Sequence, residues 1–177
     1  MASNNHELII TEHRNISDSD KISILKLVYS IWPSKDGIEH SIENSTDKVF
    51  ERFFTDRPGE RHIVLKCDNI VSGYAKVFLR EIMIGEQLYR NCALACVCVN
   101  ELQRAKGYGR EIVRCAFEPV DKKSYDCSLF QTAVPGFYEK LGAKVIHNVC
   151  VNSHDGNSNP WWDKFTMIYP SSVETLE

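Results

Sequence analysis

Between residues 61 and 100 the chain holds three runs rich in Val, Ile, Phe, Tyr and Cys, at 61–66, 70–83 and 87–100, parted by Asp68-Asn69 and by Ile84-Gly85-Glu86. Connections that short join antiparallel strands, because a parallel pair needs a crossover of a dozen or more residues. The segment therefore predicts an antiparallel meander. Its third strand does not turn back. It runs through Asn100, Glu101, Leu102 and Gln103 into Arg104-Ala105-Lys106-Gly107-Tyr108-Gly109-Arg110, a glycine-rich loop that opens a helix over 107–117 with apolar positions at Ile112, Val113 and Ala116, expected to end before Pro119. Glycines at 107 and 109 allow backbone angles closed to other residues and let a ligand come close, and the first amides of a helix attract anions. Arg104, Lys106 and Arg110 add positive charge at the same place. Read alone, such a loop fits an anion cradle or a tight corner equally.

The flanking segments complete an α+β pattern. A first strand is expected over 7–12, then a helix capped by Ser17 or Asp18 with the stripe Ile22, Ile24, Leu25, Leu27, Val28 and Ile31, stopping at Trp32-Pro33. A second helix around 46–54 would bury Val49, Phe50, Phe53 and Phe54. After the glycine loop come a strand at 128–131, a short helix over 135–141 closed by Gly142, a strand over 144–151, an Asn/Gly/Ser/Pro-rich turn at 154–160 and a last strand over 161–169. With 177 residues and no linker or repeat, this reads as one domain with its core over about 7–170.

Composition narrows the function classes. A formal net charge of −3 and a pI near 6.1 argue against sequence-independent nucleic-acid binding. No window approaches the roughly 18 apolar residues of a membrane span, and the first ten residues lack the basic and apolar regions of an export signal. Seven cysteines, several in apolar segments, fit reduced thiols in a cytosolic or nuclear compartment. The pair Cys96-x-Cys98 has no partner at finger-like spacing, so no metal is expected.

Thirty residues past the glycine loop stands Pro135-Gly136-Phe137-Tyr138-Glu139-Lys140-Leu141-Gly142. At this point the chain resembles the GNAT superfamily of acetyl-CoA-dependent N-acetyltransferases. Two motifs match in order: the Arg/Gln-x-x-Gly-x-Gly pyrophosphate loop at residues 104–109 and the Phe-Tyr-x-x-x-Gly helix at 137–142. The resemblance implies an α+β fold, with a central mixed, mostly antiparallel sheet of six to seven strands flanked by helices. It implies that the backbone of Val97 and Val99, with Cys98 between them, meets the pantetheine arm of acetyl-CoA. The loop Arg104, Ala105, Lys106, Gly107, Tyr108, Gly109 and Arg110 would hold the pyrophosphate. Tyr138 would be the general acid to the departing thiolate, and Gln131 would stand where the family often has a CoA-contacting Asn.

One family position departs. Many members carry a Glu base on the strand before the loop, where this chain has Ala93-Leu94-Ala95-Cys96. Glu81, Glu86, Asp163 or a water chain could then take the acceptor's proton. The acceptor is expected near Tyr29, Trp32, Lys35 and Asp36 on one side and His154, Asp155, Trp161, Trp162 and Asp163 on the other, where aromatic rings and carboxylates suit a cationic amine. A small amine is the first expectation. Residues 29–35 also look like the corresponding segment of enzymes that acetylate protein N-termini, and a non-catalytic acyl-CoA-binding module is the third alternative. A monomer and a homodimer both remain open.

Overall fold

In the computed structural model the described residues are 5–33, 46–84, 86–147 and 164–173. They pack as two compact units, one formed by 1–78 with 95–116 and the other by 79–94 with 117–177. The strands are β1 (His6–Thr11), β2 (Arg61–Cys67), β3 (Ile70–Ile84), β4 (Gln87–Val99), β5 (Ser128–Thr132), β6 (Lys144–Ile146) and β7 (Phe165–Tyr169). The helices are α1 (Asp18–Ile31), α2 (Thr46–Phe53), α3 (Tyr108–Asp121) and α4 (Pro135–Glu139).

The expected meander forms, with β1, β2 and residues 70–78 and 95–99 of β3 and β4 in the first unit. Strands β1-β2-β3-β4 are neighbours in that order, with β1 and β3 both antiparallel to β2. Ser17 caps α1 by accepting from the Asp20 amide at 3.2 Å, and Asp18 and Asp20 place negative charge at the positive end of the helix dipole. The helix buries Ile24, Leu25, Leu27 and Val28 against Val64, Tyr74 and Cys98, a cluster that also takes in Val49 and Phe54. Lys66 on β2 ties to Asp20 at 2.7 Å. The other face of the sheet takes α3 at very close range. A Cβ on Gly73 would stand 2.7 Å from Ile112 Cδ1 and 3.3 Å from Leu65 Cβ, so the glycine is what lets the helix seat there.

In the second unit β5-β7-β6 form an antiparallel sheet, pairing Gln131 with Thr166 and Val145 with Met167. Phe117 stacks on Tyr169 with ring centroids 3.9 Å apart. The expectation of one mixed sheet takes a more divided form, with a four-stranded and a three-stranded ladder. The parallel element is a single bridge between Asn91 of β4 and Cys127. There Cys92 N–H donates to Cys127 O at 2.8 Å, and the side-chain oxygen of Asn91, rather than a main-chain carbonyl, accepts from the Leu129 amide at 2.6 Å.

Two boundaries move for physical reasons. Helix α3 was expected to stop before Pro119 but runs to Asp121, because burial of Val120 outweighs the hydrogen bond that Pro119 cannot make. The short helix expected to reach 141 ends at Glu139, and Gly142 closes the turn at φ +92° while Ala143 N–H returns to Tyr138 O. The strand expected over 144–151 is described as β6, with residues from 148 onward outside the described set, as are 161–163 of the expected last strand. No helix among the described residues is long and apolar enough to cross a membrane.

Candidate functional site

Strand β4 ends in the glycine loop through an ordered turn. Asn100 accepts from the Leu102 amide with its side chain at 3.0 Å and from the Gln103 amide with its carbonyl at 2.9 Å. Ala105 then takes φ +64° and Gly107 φ +90°. The Glu111 amide donates to Gly107 O at 3.2 Å and closes the first turn of the helix. Gly109 and Arg110 lie in the first turn, where helical amides in general lack an intrahelical acceptor. A Cβ built on Gly107 would meet nothing within 4 Å, so the space before the helix is open. Arg104, Lys106 and Arg110 are exposed, whereas Tyr108 is buried with its ring 5.0 Å from that of His6. These features bring the opening of a helix and three cations together, an arrangement that suits an anion.

Of the three expected pantetheine contacts on β4, Val97 and Val99 are half-buried and Cys98 is buried in the α1 cluster. Burial pushes the Cys98 thiol up to about 12, so it is an un-ionised core side chain. The Val99 carbonyl accepts from Arg104 Nε at 3.3 Å, which spends one of its lone pairs inside the site. In the second unit Tyr138 lies in α4, buried, with its ring 4.7 Å from Phe130 of β5 and 4.9 Å from Phe137. Gln131 is the next residue along β5 and half-buried. Tyr29 is half-buried against the α1 cluster, and Trp32 caps the C-terminus of α1 while remaining 48% exposed. Trp161 and Asp163 lie outside the described residues, as do Lys35, Asp36, His154, Asp155 and Trp162. Of the described acids offered as a base, Glu81 and Glu86 are both exposed.

No family model matches the chain, and no curated protein matches its sequence. Solved structures do match by shape. An acetyltransferase of the GNAT family from Staphylococcus aureus is 14% identical with a TM-score of 0.61, the match covering 94% of this chain and 100% of that one. Escherichia coli ElaA is 17% identical at a TM-score of 0.60, covering 93% and 99%. An acyl-CoA N-acyltransferase from Pseudomonas aeruginosa is 12% identical at 0.58, covering 93% and 99%. The fold is that of the GNAT acetyltransferases. In this GNAT fold six of the cysteines are described and all six are free. Among the described residues no group of three or more His, Cys, Asp or Glu side chains is placed to hold a metal ion.

The first unit of the GNAT-fold chain also holds a buried polar cluster that the sequence reading passed over. Glu60, His62, Tyr74 and Lys76 are all buried, on or beside β2 and β3, and Cys96 of β4 lies among them with φ +56°. Tyr74 Oη and His62 Nδ1 are 2.7 Å apart, and His62 Nε2 is 3.2 Å from Glu60 Oε1. Both carboxylate oxygens of Glu60 accept from Thr55, one from the amide at 3.3 Å and one from the hydroxyl at 2.9 Å. The Lys76 ammonium donates to Phe53 O at 2.8 Å and sits 4.4 Å over the Phe53 ring. Burial lowers the Lys76 pKa and, with the neighbouring Lys76 charge, drives His62 down to about 3, so its imidazole is neutral. The signal was available in Arg61-His62-Ile63-Val64-Leu65 and in Tyr74-Ala75-Lys76. A titratable side chain at an inward position of a strand in an apolar sheet is costly unless it has a task.

Proposed function

We propose that the chain is an N-acetyltransferase that moves an acetyl group from acetyl-CoA to a primary amine, within one domain spanning about 7–170. The observation that carries this reading is the opening of α3. On a fold shared with N-acetyltransferases, a strand leads into Gly107 at φ +90° with open space before the first turn of α3 and three exposed cations. Ala105 to Arg110 would hold the pyrophosphate, with Arg104 supplying charge; the backbone of Val97 and Val99 would meet the pantetheine arm; Gln131 would add an amide contact. Acetyl-CoA supplies an activated thioester. Tyr138 donates a proton to the thiolate that leaves, a task open to a phenol where negative charge develops beside it. The acceptor is a small amine, with Tyr29, Trp32, Trp161 and Asp163 as its recognition residues. The free thiols suit a reducing compartment, cytosolic or nuclear.

Acetyl-CoA at 100 times its dissociation constant should raise the unfolding free energy by about 2.7 kcal/mol. No rise in melting temperature at millimolar acetyl-CoA refutes the reading. CoA thiol release with a panel of amines then separates an enzyme from a binding module.

A further inference from the structure

The acyl-transfer reading leaves one chemical task without a residue, and this inference rests on that reading. An amine reaches the protein as an ammonium and attacks only after losing a proton. Residues 93–96 carry no group that could take it apart from the Cys96 thiol, which burial pushes up, away from ionisation. The sheet face that carries Cys96 is the α1 face, the side on which the acceptor is expected, and there the buried cluster stands ready. We infer that Tyr74, His62 and Glu60 form a proton relay that takes the acceptor's proton beside Cys96 of β4 and delivers it to the Glu60 carboxylate.

The wiring follows from what each atom can do. Glu60 has both oxygens held by Thr55 as acceptors, the arrangement an ionised carboxylate wants. Its neighbour at 3.2 Å, His62 Nε2, is then the ring nitrogen that bears hydrogen, which leaves Nδ1 to accept from the Tyr74 hydroxyl at 2.7 Å. The Tyr74 oxygen keeps its lone pairs for a further donor, and Cys96 and Cys98 are the thiols that act on it electrostatically. A proton leaving the ammonium reaches the Tyr74 oxygen as the Tyr74 proton passes to Nδ1 and the Nε2 proton passes to Glu60. One neutral amine and one carboxylic acid result. The imidazole only changes tautomer, which suits a ring that resists carrying charge, and the return passage releases the proton to water after product has left.

Two further observations separate a relay from a structural knot. His62 is fully buried, yet its Nε2 lies off the hydrogen-bonding line to Glu60 and makes no hydrogen bond. A donor left in that state is costly in a core and is the geometry of a catalytic contact that tightens only with substrate. The backbone of Cys96 is in the left-handed region inside a strand, a conformation that a non-glycine residue holds only where its surroundings force it. The titratable groups that act on His62 are Glu60 beside β2, Lys76 from β3, His13, and Lys21 from α1.

The test compares wild type with Tyr74→Phe and Glu60→Gln, using acetyl-CoA and the best amine of the panel, with kcat and KM followed from pH 6 to 9.5. Tyr74→Phe is expected to lower kcat about 100-fold at pH 7 with KM for acetyl-CoA unchanged. The deficit should narrow as pH rises and the amine neutralises in solution. Glu60→Gln should change kcat and its pH profile in the same direction. A wild-type to Tyr74→Phe ratio that is flat with pH, or no deficit, overturns the relay while leaving acyl transfer standing. A wild type that binds acetyl-CoA but releases no thiol with any amine overturns acyl transfer, and the relay with it. Nitrogen NMR of His62 gives a readout free of turnover: a neutral ring protonated at Nε2 from pH 5 to 9 is expected, and a ring protonated at Nδ1 refutes the wiring.

Discussion

Gly107 and Gly142 have nearly the same backbone angle, φ +90° and +92°, but opposite surroundings, so replacing each by Ala separates a binding role from a folding one. A left-handed φ costs an L-residue about 1–2 kcal/mol, and losing glycine's freedom in the unfolded chain returns about 0.4–1 kcal/mol. At Gly107 the new Cβ meets nothing within 4 Å, so the net destabilisation should be roughly 0.5–1 kcal/mol, a melting-temperature fall of about 1–4 °C for a chain of this size. At Gly142 the Cβ would stand 3.4 Å from Tyr169 Cε2, adding crowding to the same backbone term, so the loss should be somewhat larger. Binding should run the other way. The Gly107 methyl enters the space in front of the α3 amides. Losing one charge-assisted hydrogen bond to a phosphate costs about 1.5–3 kcal/mol, or roughly 10–150-fold in Kd. Calorimetric titration with CoA and thermal melts of both variants provide the measurement. If Gly107→Ala binds CoA as tightly as wild type, or if Gly142→Ala weakens binding equally, the cradle is misassigned.

Tyr138→Phe should lower kcat by 100-fold or more while leaving CoA affinity within a few-fold, as judged by steady-state kinetics and titration. Gly73→Ala should destabilise by about 1–3 kcal/mol in a denaturant melt, because the buried Ile112 Cδ1 must shift away from the new methyl. For His62 the folded pKa of about 3 lies below the unfolded value of 6.5, so between those limits the unfolded chain binds more protons and stability falls as pH is lowered. Melts at successive pH values should therefore show a shallower slope between pH 4 and 6 in His62→Gln than in wild type, the difference approaching 1.4 kcal/mol per unit at most. An unchanged slope would mean that His62 is not the group responsible.

The meander was legible because short turns leave a strand no choice but to reverse, and the Ser17 cap and Trp32-Pro33 stop were legible because capping chemistry is local. Pro119 misled, since a missing hydrogen bond is visible in sequence and the burial of Val120 is not. The way β4 meets β5 was hidden for a similar reason: the side chain of Asn91 accepts from the Leu129 amide across 38 residues of sequence. At the site, the glycine loop declared itself through backbone freedom. The buried cluster did not, because Glu60, His62, Tyr74 and Lys76 come together only once β2 and β3 are in register, with His62 opposite Lys76 and Val64 opposite Tyr74.

The bridge at Asn91 also bears on the order in which the chain folds. Strands β3 and β4 are separated by only two residues of sequence, whereas joining Asn91 to Leu129 requires the whole intervening crossover to be in place. Contacts of that sequence separation form after the local ones that make them affordable. Replacing Asn91 by Leu should accordingly hasten unfolding and leave the refolding rate nearly untouched, a φ-value near zero, so this seam acts as the latch on the folded state rather than as its nucleus.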